Sequence, residues 1–401
     1  MSKKLFQINV TANWGSTGNI AEQIGLQAIN KGWDSYIAYG RMMNPSDSKL
    51  VKIGSQRDVY WHYALNKFFD MEGLVSTNST RRLVKEIERI NPDIIHLHNI
   101  HDHWLNYNIL FEYLNTLDTP IVWTQHDCWS FTGGCGYYSM VDCDKWKTEC
   151  RECLFKQGIL PLIERTRHQY EIKKRLFCEA KNLTLVPVSH WLEGELKQSF
   201  LRNCNIQTIC NGVNTSIFHP VDSCVKEKYG VEGKALLVAA ATTWSRRKGL
   251  NDYIELRKLL PDGYVILLVG LNQHQIEQLP KGIIGLRRAD SIDELVEIYS
   301  GADIVLNLSY EETFGLTTVE GFACGTPSIV YNTTASPELI TPETGIVVET
   351  GDFNGVADAV KMILSKGKQQ YTSACRKRAE VSFDKNKCFE SYIRLYEELL
   401  K

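Results

Sequence analysis

DIVLNLSYEETFGLTTVEGFACGTPSIVY, residues 303–331, places two short apolar runs on either side of a segment long enough for a loop and a helix. DIVLNL at Asp303 and PSIVY at Pro327 have the length and composition of buried strands, and the stretch between them reads as a loop that opens a helix. Outward from this unit the same alternation recurs. ALLVAAA (Ala235), YVILLVG (Tyr264) and GIIGL (Gly282) precede it, each followed by a helix-length segment. A separate series runs through LFQINV (Leu5), SYIAY (Ser35), DIIHLH (Asp93), PIVWT (Pro120) and LTLVPV (Leu183). Strands alternating with helices along the whole chain predict an α/β protein with two parallel sheets.

The 401 residues are too many for one ordinary core and suit two domains. The turn-rich NGVNTSIFHP (Asn211–Pro220), after a strand NIQTIC, is the natural linker, giving domains at 1–215 and 216–383. In the closing segment FDKNKCFESYIRLYEELLK, Cys388, Tyr392, Leu395 or Tyr396, and Leu399 fall at helical spacing, so about 384–401 form a helix with one buried face. A net charge of −2 argues against bulk nucleic-acid binding. The start, MSKKLFQINV, reads as a first strand and not an export signal, and no run reaches the roughly 18–20 apolar residues of a membrane span. The expected location is cytoplasmic, with membrane contact limited to the inner face of the cytoplasmic membrane.

Sites in parallel sheets form at the carboxyl ends of strands. After DIVLNL, Glu312 and Glu320 are separated by seven residues, and Phe314, Gly315, Leu316 and Thr317 begin the helix, where unpaired backbone N–H groups suit a diphosphate. By itself this is equally a helix whose acidic start is stabilised by its dipole. After ALLVAAA comes TTWSRRKGL, with Arg246, Arg247 and Lys248 just before another helix. Two strand ends of one domain offering cations, helix N-termini and carboxylates suggest a sugar nucleotide. In the first domain, TANWGSTGNIAEQIG carries Gly15 and Gly18 at a turn that opens a helix, a phosphate site or a plain tight turn. It lacks the G-x-G-x-x-G pattern, so a dinucleotide site has little support.

Taken together these segments resemble the family-4 retaining glycosyltransferases of the GT-B fold, and the resemblance covers nearly the whole chain. It rests on the E-x7-E of Glu312 and Glu320, with GSTGNI, PIVWTQHD, CNGVNTSIF, RKG (Arg247–Gly249) and CGTPSIVY in support. HLHNIH and the W-T-x-H-D-x-W-x-F-T-G segment are similar to bacterial capsule, exopolysaccharide and O-antigen transferases. The resemblance implies two Rossmann-like domains facing across a cleft, the first on the acceptor side and the second binding the nucleotide sugar, with the C-terminal helix packing back on the first. It implies that Glu312 holds donor sugar hydroxyls, Glu320 the ribose and the Phe314–Thr317 amides the distal phosphate. Lys248 and Arg247 would neutralise the diphosphate, Gly15 and Gly18 would border the donor, and Arg288 in GIIGLRRADSIDEL would lie near the base. His126, at the end of PIVWT, would contact the donor sugar, and His126, Lys248 and Glu312 would be the catalytic set.

Such protein-borne charge does the work of a metal in other transferases, so no catalytic metal is expected. In a retaining reaction of this kind a leaving-phosphate oxygen takes the acceptor proton, and no carboxylate dyad is needed. The family's arginine six residues before the lysine is Thr242 here, and Arg246 or Arg247 would supply the charge. The expected donor is UDP- or GDP-linked, and the acceptor a glycan or lipid-linked glycan of surface polysaccharide. A sugar-nucleotide epimerase, or a silent sugar-nucleotide-binding protein, would need the same second-domain site.

Cys135, Cys143, Cys150 and Cys153 have seven, six and two residues between them, a pattern that suits a tetrahedral structural zinc clamping one long loop. Reduced thiols or disulfides are the other readings. Asp142-Cys143-Asp144 makes a formal D-x-D, inside that loop and not at a strand end. From Lys156 to Lys181 seven Lys or Arg face three Glu, with Leu160, Ile163 and Phe177 as apolar neighbours, which is either a solvated helix face or an anionic-membrane patch. Of the histidines of HLHNIHDHW, His98 and His101 are the acceptor-side candidates.

Overall fold

The apolar runs of the first series become strands Lys4–Asn9 (β1), Asp34–Tyr39 (β2), Ile94–Leu97 (β4), Ile121–Gln125 (β5) and Leu183–Pro187 (β6). Two shorter strands, Lys49–Lys52 (β3) and Asn205–Ile206 (β7), complete that sheet. The second series gives Ala235–Ala240 (β8), Tyr264–Val269 (β9), Ile283–Leu286 (β10), Ile304–Asn307 (β11), Ser328–Tyr331 (β12) and Gly345–Val348 (β13). The computed structural model describes residues 2–156 and 160–401. Among them the strands make a seven-stranded sheet ordered β3-β2-β1-β4-β5-β6-β7 and a six-stranded sheet ordered β10-β9-β8-β11-β12-β13, with every strand pair parallel.

Parallel strands are covered on both faces by their crossover helices, which is why the central ones read as unbroken apolar runs. β4 and β5 are buried along their whole length. β3 (KLVK) has its two lysines exposed, as an edge strand needs if it is not to pair with another chain, and for that reason it gives no apolar run to read. Helix Gly15–Asn30 buries Ile20, Ala21, Ile24 and Ala28 at the spacing of one face. On the other side of the sheet, Phe177 of helix Thr166–Glu179 packs with Phe111 at 4.4 Å and Trp123 at 5.0 Å between ring centres.

The chain divides into two compact units, Met1–Cys210 with Phe389–Lys401, and Asn211–Cys388. Residues 211–215, read from the sequence as the end of the first domain, pack in the second. Val213 exchanges backbone hydrogen bonds with Phe383 (2.8 Å) and Lys385 (2.9 Å), and Arg376 Nη2 holds the Thr215 carbonyl at 2.9 Å. The last helix, Lys385–Leu399, starts at Asp384, whose carboxylate accepts the Asn386 N–H at 3.1 Å. Its buried face carries Tyr392 and Tyr396 into the first unit, where Thr124 Oγ1 donates to the Tyr392 hydroxyl (3.0 Å) and the Tyr396 hydroxyl meets His96 Nδ1 (2.6 Å).

Candidate functional site

In the second sheet β8 has β9 on one side and β11 on the other, so the connections leave β8 in opposite directions and open a crevice beyond its carboxyl end. The chain leaving β8 is pinned first by Trp244, buried, whose indole N–H donates to the Val269 carbonyl at 2.9 Å and whose ring meets Tyr253 edge-on. A short 3-10 turn, Arg246–Lys248, follows, and Gly249 reverses the chain at φ 67°. The loop leaving β11 is laced to that turn. Arg247 accepts the Tyr310 N–H (2.9 Å) and donates from Nη1 to the Glu311 carbonyl (2.7 Å), while Lys248 Nζ pairs with Glu312. The Glu312 N–H is held in turn by Thr334 Oγ1 at 2.9 Å. Of the two arginines that could replace the charge missing at Thr242, Arg247 is in this lattice and half-buried, whereas Arg246 is exposed.

Gly315, at φ 102°, caps helix Leu316–Ala323, and Phe314 before it is buried against Phe383. The N–H groups of the first turn have no intrahelical acceptor and carry the positive end of the dipole. One turn on, the Glu320 carboxylate accepts a hydrogen bond from the Tyr299 hydroxyl at 3.0 Å. Burial pushes the Glu320 carboxyl up to about 7, against the opposing pull of that hydroxyl. The structure therefore gathers Arg247, Lys248, Glu312, Gly315, Leu316, Thr317 and Glu320 around the β8 and β11 ends. Arg288 is exposed just after β10, the edge strand two places from β8.

The first sheet has its own reversal between β1 and β4. Gly15 and Gly18, grouped by the sequence with the donor residues, lie here in the first unit. Gly15 suits its φ of 64°, with nothing within 4 Å of an added Cβ, whereas at Gly18 a Cβ would stand 2.7 Å from Thr11 Oγ1, so backbone conformation accounts for the first and close packing for the second. The histidines after β4 and β5 form a buried chain. Gln7 donates from Nε2 to the Ala21 carbonyl, which turns its oxygen toward His98 Nε2 at 3.1 Å. His98 Nε2 is then a donor and its Nδ1 an acceptor, which fixes His126 Nε2, 3.1 Å away, as the donor to it. Burial holds His126 down to about 4, so it is a neutral, oriented imidazole. His98 is 1% exposed with both nitrogens committed, and acts as the prop behind His126. His101 differs: burial opposes its charge, but Asp127 at 2.9 Å, with Asp102, holds it well above the usual histidine range.

The basic stretch departs from its reading as one surface face. Lys173 and Phe177 of helix Thr166–Glu179 are buried, and residues 157–159 lie outside the described ones. Leu160 and Ile163, read with Phe177 as the stretch's apolar neighbours, are exposed together with Leu162, and helix Gln56–Phe69 shows Tyr60, Trp61, Tyr63 and Phe68 on its outer face. The two segments adjoin, with Leu162 N–H on the Phe68 carbonyl (2.8 Å) and Arg165 Nε on that of Phe69 (3.1 Å). Cys135, Cys143, Cys150 and Cys153 line one small cavity.

Several contributors carry no sequence signal. Tyr299 reaches Glu320 from 21 residues upstream, and Gln7 reaches His98 from 91 residues away, pairings that only the sheet order creates. Asp127 was legible, standing beside His126 in TQHD, as an acid next to a strand-end histidine.

The model for Glycosyltransferase Family 4 matches residues 23–217, and that for Glycosyl transferases group 1 matches residues 233–366. WcaC of Escherichia coli (strain K12), assigned as a glycosyl transferase of colanic acid biosynthesis, is 26% identical over 44% of this chain and 45% of its own. N-acetyl-alpha-D-glucosaminyl L-malate synthase of Bacillus anthracis is 28% identical over 53% of this chain and 59% of its own. The match thus spans about half the length of these curated relatives. Sucrose-phosphate synthase from Thermosynechococcus elongatus shares the fold along 99% of both chains, with a TM-score of 0.72 at 18% identity. Among the described residues no helix is long and apolar enough to cross a membrane.

Proposed function

The chain belongs to the family-4 glycosyltransferases and has their GT-B fold, and on that premise we propose that it transfers a sugar, with retention, from a nucleoside-diphosphate donor to a glycan or lipid-linked acceptor of bacterial surface polysaccharide. The observation that carries this reading is the lattice at the β8 and β11 ends: Lys248 against Glu312, Arg247 beside them, an open helix start at Leu316, and Glu320 further along that helix. An anion there finds two cations and the amides of a helix start, and the carboxylates are left for hydroxyls. With no ligand, Lys248 and Glu312 satisfy each other. A diphosphate would draw on the lysine and release Glu312 to accept from the sugar. Charge building on the leaving group is met by fixed protein dipoles and cations, so transfer needs no added divalent ion. The relation to WcaC, assigned to colanic acid biosynthesis, supports a role in polysaccharide assembly. The test is a screen of UDP- and GDP-sugars for thermal stabilisation and for transfer to membrane-extracted acceptors without added divalent metal. Stabilisation by one nucleotide class, with a glycosylated product, is expected; free sugar nucleotide altered at one carbon, or no product, would refute transfer.

Glu320 gives this reading a pH signature. Ribose hydroxyls donate to a carboxylate, so bound donor favours the ionised form and lowers a carboxyl that in the free protein lies at about 7. Affinity therefore rises with pH up to that value and then levels. Between about pH 6 and about pH 8 the Kd for the nucleotide should fall about tenfold, and in Glu320→Gln it should stay flat. Titration calorimetry at several pH values checks this, and an equal slope in the variant would remove Glu320 from the ribose.

The aromatic face of helix Gln56–Phe69, flanked by Arg57, Lys67 and Arg165 and continued by Leu162 and Ile163, fits the interface of an anionic bilayer, where a lipid-linked acceptor would reside. Burying a large apolar side chain is worth roughly 1.5–3 kcal/mol. Trp61→Ser and Leu162→Ser should each weaken sedimentation with phosphatidylglycerol vesicles about tenfold, while neutral vesicles bind poorly. Unchanged vesicle binding in both variants would dismiss this surface.

A further inference from the structure

Between β5 and helix Thr166–Glu179 the chain makes its longest excursion, and among the described residues its regular structure there is confined to 3-10 turns at Trp129–Phe131, Ser139–Val141, Lys145–Lys147 and Leu154–Lys156. A loop of that length without strands or α-helix needs another source of order. Part of it is a small aromatic cluster, in which Trp146 sits 5.1 Å from both Phe131 and Tyr138 and Tyr170 donates to the Trp146 carbonyl at 3.0 Å. On the other side of the loop, four thiols from three separate turns, Cys135, Cys143, Cys150 and Cys153, line a single cavity of about 20 Å³, room for one water-sized body. Glu152, at φ 47°, bends the C-x-x-C of Cys150 and Cys153 back on itself, so both thiols reach the same space. All four are free of disulfides, as is Cys128, which does not line the cavity.

The charged side chains that line the cavity are cations, with carboxylates at its border: Lys156 pairs with Asp70 at 2.6 Å, and Glu164 Oε1 accepts the Cys153 N–H at 3.0 Å. Lys145, Arg151 and Lys156 belong to its lining. Behind it lies Lys173, fully buried, its ammonium 2.7 Å from the Trp129 carbonyl, 3.2 Å from that of Thr132 and 3.4 Å from the Trp129 ring centre. Among the described residues no carboxylate stands within ion-pair distance of it. A buried ammonium held by carbonyls and ring faces is costly unless negative charge lies near; the Glu72 carboxylate acts on this one first, and Cys135 and Cys150 are also close enough to interact with it.

The geometry points to a structural zinc ion bound by Cys135, Cys143, Cys150 and Cys153. Four thiols give up four protons to one Zn²⁺, leaving a tetrathiolate of net charge −2 beside Lys173 and the lining cations. Among the described residues no three potential ligands already stand at metal-binding separations, so the ion has to draw the sulfurs in from the cavity wall. With all four positions taken by sulfur, the metal has no open site for substrate, and its effect is to order the loop that begins at His126. The assignment does not depend on the transferase reading.

Metal analysis of the full chain, made with zinc in the medium and purified under reducing conditions, should find about one zinc per chain. Cobalt exchanged into the wild-type protein should give the intense visible absorption of a tetrahedral thiolate site. Chelation should lower Tm, and one equivalent of zinc should restore it. Cys143→Ser and Cys153→Ser should lose the metal, and Cys128→Ser should keep it. Absence of zinc and of a cobalt spectrum in the wild type, disulfides among the four cysteines by alkylation and mass spectrometry, or full zinc retention in both serine variants would each overturn the site. The cobalt and re-addition measurements need no variant to fold.

Discussion

Lys248→Ala should lower kcat by about 10²–10³, roughly 3–4 kcal/mol of lost transition-state stabilisation, with a smaller rise in the Kd for the nucleotide. The lysine side chain is 19% exposed and the Glu312 carboxylate it pairs with 11% exposed, so the two charges sit in a partly dry site where each matters more than at the surface. Removing the ammonium does two things to a bound diphosphate. It deletes the cation that meets the growing leaving-group charge, and it leaves the Glu312 carboxylate facing phosphate oxygens with nothing between them. Lys248→Arg should recover only part of the rate, because the guanidinium is planar and already has a neighbour of its kind in Arg247. Glu312→Gln in the Lys248→Ala background should restore nucleotide affinity and not turnover. Stopped-time transfer assays with equilibrium binding separate these effects, and a variant with unimpaired kcat would remove Lys248 from the chemistry.

How much of this was legible beforehand follows from the physics of each part. Strands β8, β9, β11 and β12 announce themselves because parallel central strands are apolar on both faces, whereas β3 with its two lysines and β13 with two of its four residues only partly covered are sheet edges and leave no such run. Glu312 and Glu320 could be picked out because one loop and one helix fix them locally. The linkage of Arg247 to Glu311, 64 residues apart, could not, since it exists only once β8 and β11 are neighbours. His126 was readable at a strand end, but its neutrality and its tautomer come from Gln7 and His98, which the sheet order alone brings to it. Of the apolar residues read on 156–181, Phe177 is buried while Leu160 and Ile163 are exposed, a division that composition does not give. Amphiphilic composition does not reveal that Phe177 is claimed by Phe111 and Trp123, and an exposed aromatic face on helix Gln56–Phe69 is visible only when its buried side is known.

Gly249→Ala should be strongly damaging to the second unit, because the position is constrained twice. Its φ of 67° is left-handed, and a Cβ there would stand 2.2 Å from the Leu308 carbonyl oxygen, a backbone atom that cannot swing aside. The first constraint costs roughly 1–2 kcal/mol and the second, forcing the β8 and β11 loops apart, about 1–3 kcal/mol more. At roughly 2–4 °C per kcal/mol for a unit of this size, Tm should drop by about 10 °C. Gly230→Ala separates the two terms: its φ is 63° with nothing within 4 Å of the added carbon, so it should show the conformational cost alone. The function should fall further than the fold. Leu308 opens the loop that carries Glu312, and displacing it from the Arg246–Lys248 turn stretches the Tyr310–Arg247 and Arg247–Glu311 hydrogen bonds and parts Lys248 from Glu312. Well below its melting point, Gly249→Ala should therefore bind nucleotide weakly while Gly230→Ala binds as the wild type does. Equal losses in the two variants would mean that the β8 and β11 loops are not held together at this glycine, and the lattice on which the donor site rests would have to be redrawn.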